Sequence, residues 1–312
     1  MTNKVLGLHH ITAIANLAQR NYDFYSKVLG LRMVKKTVNF DDPGTYHFYY
    51  GDEKGSAGTI LTFFPWEGIG RGRNGVGMAT ELAYSVPEGS LNFWTARFGE
   101  NNVLTGEVVE RFGELYYPFL DPDGLNLSLV VPKAGDARTG WTTKEVTQDV
   151  ASKGFHNTTL TLRELDPTAK VLTDLLGYQQ VAEEGNRYRF ATDTVDSANI
   201  IDILVDPNAG RAINTAGTNH HIAFRVKNDE DQLELRERIM SAGLQITPQI
   251  DRDYFHSLYF REPGGVLFEI ATDNPGFDVD EPLDSLGSAL KLPKQYEGSR
   301  AEIEKVLPQL EG

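Results

Sequence analysis

The chain has 312 residues, 40% of them hydrophobic and 24% charged, enough for two soluble domains with substantial cores. Its formal net charge of −14 sets it against nucleic acid and anionic membranes as partners. With no cysteine, it has no disulfide, thiolate nucleophile or sulfur-ligated metal, so a metal would need His, carboxylate or carbonyl ligands.

No apolar run reaches 18 residues, and the first residues carry no signal-peptide core, so a cytoplasmic protein is the expectation. In chain order, four segments repeat one plan: a strand, an amphipathic helix stopping at a glycine, and closing hairpin strands. The first unit spans about 6–66. It opens on His9-His10-Ile11-Thr12 and continues in a helix that lines up Tyr22, Tyr25, Val28 and Leu29 before Gly30. Strands follow at 46–50 and 59–64. The glycines at 68–75 resemble a phosphate loop only superficially, because the Lys-Ser/Thr ending is missing. That stretch reads as a flexible linker.

The second unit, about 77–132, has a strand at 79–86, a helix at 91–98 stopping at Gly99, and strands at 116–120 and 125–131. After a polar linker at 133–153, the third unit runs over about 154–206, with its helix at 167–176 before Gly177. The fourth, about 219–273, has its helix at 230–242 before Gly243. It turns at Glu262-Pro263-Gly264-Gly265, echoing Asp121-Pro122-Asp123-Gly124 in the second unit. This pattern predicts an α+β fold of four βαβββ modules forming two open-barrel domains. The chain divides into an N-terminal domain (1–150), a C-terminal domain (151–275) and a tail (276–312). Within the tail, 300–307 reads equally as a short helix packing through Ile303, Val306 and Leu307 or as a solvated extension.

Overlaying the modules shows where chemistry survives. In the strand at 220–226, Ile222, Phe224 and Val226 share one face and His221, Ala223 and Arg225 the other. In the strand at 266–271, Val266, Phe268 and Ile270 oppose Leu267, Glu269 and Ala271. The position of His221 is occupied by His10, Glu81 and Asn157 in the other modules. That of Glu269 is occupied by Ser128 and Asp202 in modules two and three. Only modules one and four supply two imidazoles and a carboxylate, the ligand set of a facial triad for Fe(II) or Mn(II). His156 competes with His10, but its strand mates Thr158, Leu160 and Leu162 form the apolar face. If His10 is the ligand, modules one and four pair around the metal, and modules two and three pair with each other.

Several other side chains have two readings. Tyr259 shares a face with Ser257 and Arg261 and is either a bonded core tyrosine or a pocket residue. Arg252, between two aspartates, is either a surface ion partner or functional. His256 could be structural or an acid/base group. His47 reads as a core or turn residue, and Phe63, Phe64 and Trp66 as core with a chance of lining a pocket.

The four βαβββ units resemble the vicinal oxygen chelate (glyoxalase/bleomycin-resistance/extradiol dioxygenase) superfamily. The run Val34-Lys35-Lys36-Thr37-Val38-Asn39-Phe40-Asp41-Asp42-Pro43-Gly44-Thr45-Tyr46-His47, with Leu8-His9-His10-Ile11-Thr12, is similar to its hydroquinone-type ring-cleaving dioxygenases. Within these it is most like the methylhydroquinone-linked enzymes of Gram-positive bacteria, over essentially the whole chain. The resemblance implies Fe(II), or alternatively Mn(II), on His10, His221 and Glu269, and catalytic roles for His9, Thr12, His220, Arg252 and Tyr259. It implies a small aromatic diol and O2 as partners and leaves a homo-oligomer open. The rival readings are a glyoxalase-type metal isomerase, a non-catalytic aromatic-binding or resistance protein, and a site within modules three and four using His156. The isomerase would need another carboxylate where Thr62 stands.

Overall fold

Alternating apolar residues form the strands, and each module folds as strand, helix, three strands. A computed structural model describes residues 4–311. Module one contains β1 (Leu8–Ala15), α1 (Ala18–Tyr22), β2 (Arg32–Val38), β3 (Tyr46–Gly51) and β4 (Ile60–Pro65). Module two contains β5 (Met78–Ser85), α2 (Leu91–Glu100), β6 (Val109–Arg111), β7 (Glu114–Leu120) and β8 (Asn126–Val131). Module three contains β9 (Phe155–Leu162), α3 (Asp166–Lys170), β10 (Gln179–Glu184), β11 (Arg187–Ala191) and β12 (Ile200–Val205). Module four contains β13 (Thr218–Val226), α4 (Asp229–Ser241), β14 (Ile250–Asp251), β15 (Phe255–Arg261) and β16 (Leu267–Pro275).

The modules pair as the ligand parity requires. One eight-stranded sheet has the order β14-β15-β16-β13-β1-β4-β3-β2 and joins modules four and one; the other, β10-β11-β12-β9-β5-β8-β7-β6, joins three and two. Each sheet therefore takes one module from residues 1–150 and one from 151–275. The antiparallel seam β1–β13 sets Thr12 opposite His221, and the parallel pair β13–β16 sets Ala223 level with Glu269. Partners level across a sheet share a face, so this register gathers the polar residues of four strands on one side. On the other side Ile11, Ile222, Phe224, Phe268 and Ile270 are fully buried in the main core, with Leu235 and Ile239 of α4.

The helix ends follow the glycine pattern in three modules. α1 and α3 run on into wider π-helical turns (Asp23–Val28 and Val171–Leu175), closed by Leu29 N–H to Phe24 C=O and Leu176 N–H to Val171 C=O. Gly30, Gly177 and Gly243 then take positive φ, where a side chain would be strained. Module two departs from the expectation. Its helix runs through Gly99 to Glu100, and Asn102, with φ 54°, makes the left-handed step. Asparagine tolerates that conformation, and Val103 N–H closes the turn on Phe98 C=O.

The glycine-rich stretch after module one is not a free linker. Arg71, Arg73 and Val76 form β-bridges with Ala216, Ile213 and Arg211 of the connection between modules three and four. A Cβ on Gly75 would lie 2.3 Å from the Gly210 carbonyl oxygen, so glycine is needed for the two connections to touch.

The tail is a strap across module one and contains α5 (Arg300–Val306). Ile303 and Leu307 pack into the core, whereas Val306 is exposed. Lys35, fully buried on β2, reaches Asp280 and Glu281 at 2.6 Å each. Removing either side of such a buried pair leaves a charge uncompensated and typically costs about 3–5 kcal/mol. Among the described residues no helix is long and apolar enough to cross a membrane.

Candidate metal centre and substrate cavity

His10 on β1, His221 on β13 and Glu269 on β16 converge on the polar side of the sheet joining modules one and four. All three are buried, and one donor atom from each lies within 4.8 Å of the others. Glu269 Oε2 is 2.8 Å from His221 Nε2 and 3.2 Å from His10 Nε2. Ser257 donates to Glu269 Oε1 at 2.5 Å, which fixes the carboxylate. Apart from these two imidazole nitrogens, the fully buried Oε2 meets no hydrogen-bonding group among the described residues.

The histidine doublets bear on this geometry. His10 Nδ1 is 3.0 Å from His9 Nδ1, and His221 Nδ1 is 2.8 Å from His220 Nδ1. If each inner ring carries its hydrogen on Nδ1 and donates it to its neighbour, both Nε2 lone pairs face Oε2. Two lone pairs and a carboxylate then point at one spot, an arrangement that a divalent cation balances. Burial works against the Glu269 charge, but His10 and His221 outweigh it and hold the carboxyl well below its usual range. Burial lowers His221 below the ordinary histidine value in spite of Glu269. An ionised carboxylate beside an imidazole that burial pushes towards its neutral form suits ligation.

His10 and His221 meet a cavity of about 360 Å³, lined also by Thr12, His47, His220, Arg252 and Tyr259, with Phe40, Phe64, Trp66 and Phe255 as aromatic walls. His220 is in the wall and is pulled down to about 3 by burial and by His221, so it is neutral. His9 lies behind His10 instead, with its ring 5.1 Å from Phe255 and a bond to the Thr272 backbone. Strand parity alone puts both outer histidines on the far face. The register irregularity between Leu8 and His10 helps explain how His9 reaches its neighbour's Nδ1.

Arg252 is drawn inward by its turn. Asp253 adopts φ 65° and donates its N–H to Oδ1 of Asp251, two residues before it, while Arg252 N–H donates to Phe255 C=O. The guanidinium then lies 5.3 Å from the Phe40 ring centroid and 5.5 Å from that of Tyr259, with Asp41 at 3.8 Å. Tyr259 stands level with Glu269 across β15–β16, its ring 5.6 Å from His221. Burial and the nearby Glu269 charge raise its pKa, so the phenol keeps its proton. His256, on the opposite parity, bonds Asp229 of α4 and is not in the cavity wall. Phe63 is core, whereas Phe64 and Trp66 line the cavity.

His47 and Tyr49 are the cavity residues that sequence reasoning undervalued. Their signal was available: β3 alternates, and His47 and Tyr49 share a face.

The other sheet carries a different network at the matching positions. Glu81 is held by Arg111 and Ser128, and Asn157 by Asp202. His156 bonds Glu114 at 2.9 Å, and Arg189 joins Glu114, Asp202 and Tyr116. Every carboxylate there is already paired with a cation or amide. Among the described residues, His10, His221 and Glu269 are the one group of three metal-ligating side chains so arranged.

The family model of the Glyoxalase/Bleomycin resistance protein/Dioxygenase superfamily matches residues 7–129 and 80–270, and the chain belongs to that superfamily. MhqO of Bacillus subtilis (strain 168), which carries a ring-cleaving dioxygenase name, is 50% identical over 309 residues, 98% of this chain and 97% of that protein. The chlorohydroquinone/hydroquinone 1,2-dioxygenase of Sphingobium indicum is 34% identical over 309 residues, covering 97% and 96%. A B. subtilis crystal structure assigned as a dioxygenase superposes with a TM-score of 0.95 at 48% identity, covering 99% of both chains. Glyoxalase I of Zea mays shares the fold, with a TM-score of 0.64 at 11% identity over 86% of this chain and 92% of that one.

Proposed function

We propose that this superfamily member is a non-haem Fe(II)-dependent ring-cleaving dioxygenase that opens hydroquinone-type aromatic diols with O2. Nε2 of His10, Nε2 of His221 and Oε2 of Glu269 would hold the metal. The observation that carries this reading is their convergence, with His10 and His221 in the cavity wall and Oε2 buried behind them with no hydrogen-bonding group but those imidazoles among the described residues. Two imidazoles and a carboxylate without sulfur suit Fe(II), with Mn(II) as the alternative. Relatives with ring-cleaving and hydroquinone dioxygenase names over the full chain support the reaction class. When bound, iron supplies the one-electron chemistry through which dioxygen reacts with an aromatic diol.

The chain's own groups supply the rest. Phe40, Phe64, Trp66 and Phe255 give apolar walls that would shield an aromatic ring from water. Arg252 provides a fixed positive charge, and Tyr259 a phenol that can donate, both beside Glu269 and His221. Together they would stabilise negative charge developing on substrate oxygen. His9 and His220 would keep the two inner rings oriented through their Nδ1 contacts. The glyoxalase-type alternative lacks its carboxylate: Thr62 stands there, bonded to Thr12 and His47.

The test is anaerobic loading with Fe(II), then oxygen uptake with a panel of hydroquinones and catechols. The expected result is one O2 consumed per ring lost, with ring-opened acids as products. Isomerisation of a hemithioacetal without oxygen uptake would favour the isomerase instead. Tight aromatic binding with no turnover in the iron-loaded protein would favour the binding-protein reading.

A further inference from the structure

Four buried side chains from three adjacent strands form one hydrogen-bonded file ending beside His10. Tyr49 Oη is 2.9 Å from His47 Nδ1, His47 Nε2 is 2.9 Å from Thr62 Oγ1, and Thr62 Oγ1 is 2.9 Å from Thr12 Oγ1. Their residue exposures are 1%, 8%, 0% and 1%. Among the described residues neither Tyr49 nor Thr12 makes another side-chain hydrogen bond, so the file has two ends and can run in two directions.

The chemistry of its members selects one direction. A phenol is the most acidic donor in the file, and an unprotonated imidazole nitrogen its most basic acceptor; a phenol oxygen is a poor acceptor. The stronger set of bonds therefore has Tyr49 O–H donating to His47 Nδ1, His47 Nε2–H to Thr62, and Thr62 O–H to Thr12 Oγ1. The reverse file wastes the phenol proton and asks its oxygen to accept from an imidazole. In the favoured direction the Thr12 oxygen is already accepting, and its own hydrogen is left for the cavity that Thr12 lines.

We infer that Tyr49, His47 and Thr62 are positioning residues that hold Thr12 as a hydrogen-bond donor to an oxygen of the cavity ligand. The ligand chemistry is an acceptor oxygen, such as the ionised hydroxyl of an aromatic diol. Only that last identification rests on the ring-cleaving reading. Threonine is needed at position 62 because it must accept and donate at once, which no apolar residue of its shape can do.

The direction can be read without turnover. Imidazole nitrogen NMR on the metal-free full-length protein, with His47 assigned from a His47→Gln variant, should show His47 protonated at Nε2. Protonation at Nδ1 overturns the inference. Thr62→Val should lower kcat/KM in oxygen uptake by about tenfold, the scale of one hydrogen bond, and Thr62→Ser should restore it. Iron content should match wild type in both variants. Equal kcat/KM in wild type, Thr62→Val and Thr62→Ser would also overturn it. Should the valine variant not fold, the tautomer decides alone. A protein that turns over no aromatic diol still gives the tautomer, so failure of the dioxygenase reading is separately visible.

Discussion

His10 and His221, 211 positions apart in the chain, stand with their Nε2 atoms 3.4 Å apart across the β1–β13 seam. In the Nδ1–H tautomer both nitrogens carry lone pairs at that distance, with Glu269 Oε2 against both, which favours a cation between them. Purified protein should hold about one Fe(II) or Mn(II) per chain. His10→Ala, His221→Ala and Glu269→Ala should each abolish that occupancy by elemental analysis and cancel the rise in melting temperature on metal addition. His156→Ala should keep both. Full occupancy in His10→Ala would sink the assignment.

Much of this arrangement was legible in the sequence because it rests on periods. Side chains alternate strictly along strands, so the face of His221 fixed that of Glu269, and the repeat mapped both onto His10. The pairing of modules one and four followed from needing those residues together. What parity could not show is where strands bend. His9 reaches His10 Nδ1 next to a register irregularity, and Arg252 reaches the cavity from a turn in which Asp253 is left-handed. Gly99 misled for a related reason: a helix can stop on whichever nearby residue tolerates positive φ, and Asn102 serves. The network of Arg189, Glu114, Asp202 and His156 depends on tertiary contacts that no local pattern encodes.

On the proposed reading, Tyr259 and Arg252 act on charge rather than on the metal. If each resembles an oxyanion-hole donor, its removal raises the barrier by roughly 3–4 kcal/mol, about a hundredfold to a thousandfold in rate. Single-turnover rates should therefore fall by that factor in Tyr259→Phe and Arg252→Ala, with iron content unchanged on the same samples. A wild-type rate in both variants would remove them from the mechanism and leave the triad untouched.

The second sheet should matter to folding and not to chemistry. Burial works against the Glu114 charge, but His156 and Arg189 outweigh it and hold the carboxyl at about 2, against an ordinary 4.5. A depressed folded-state pKa contributes stability above the unfolded value, here up to roughly 3 kcal/mol, and that contribution is lost as pH falls from about 4.5 through about 2. Glu114→Gln should lower the urea-unfolding free energy at pH 7 by about 3–5 kcal/mol, because Arg189 loses one of its buried partners. Metal content should not change. A neutral effect on unfolding would mean that Asp202 alone satisfies Arg189.

Asp121 should act in the opposite sense. It is fully buried where module two meets module one, accepting from Asp123 and Leu125 N–H and from the Tyr25 hydroxyl at 3.0 Å. Burial pushes its carboxyl up from 3.8 to about 6, with the Asp123 charge adding to the effect and those donors opposing it. A folded-state pKa above the unfolded one means that the folded protein holds the proton more tightly. The resulting stability is complete below about 3.8 and lost as pH rises through about 6, a swing of roughly 3 kcal/mol. Asp121→Asn keeps an acceptor for the two N–H groups and removes the charge. Its urea-unfolding free energy at pH 8 should equal or exceed that of wild type. The difference between wild type and variant should shift by that amount between about pH 4 and 7, in favour of wild type at the acid end. Parallel pH curves for the two proteins would show that Asp121 is ionised in the fold throughout this range.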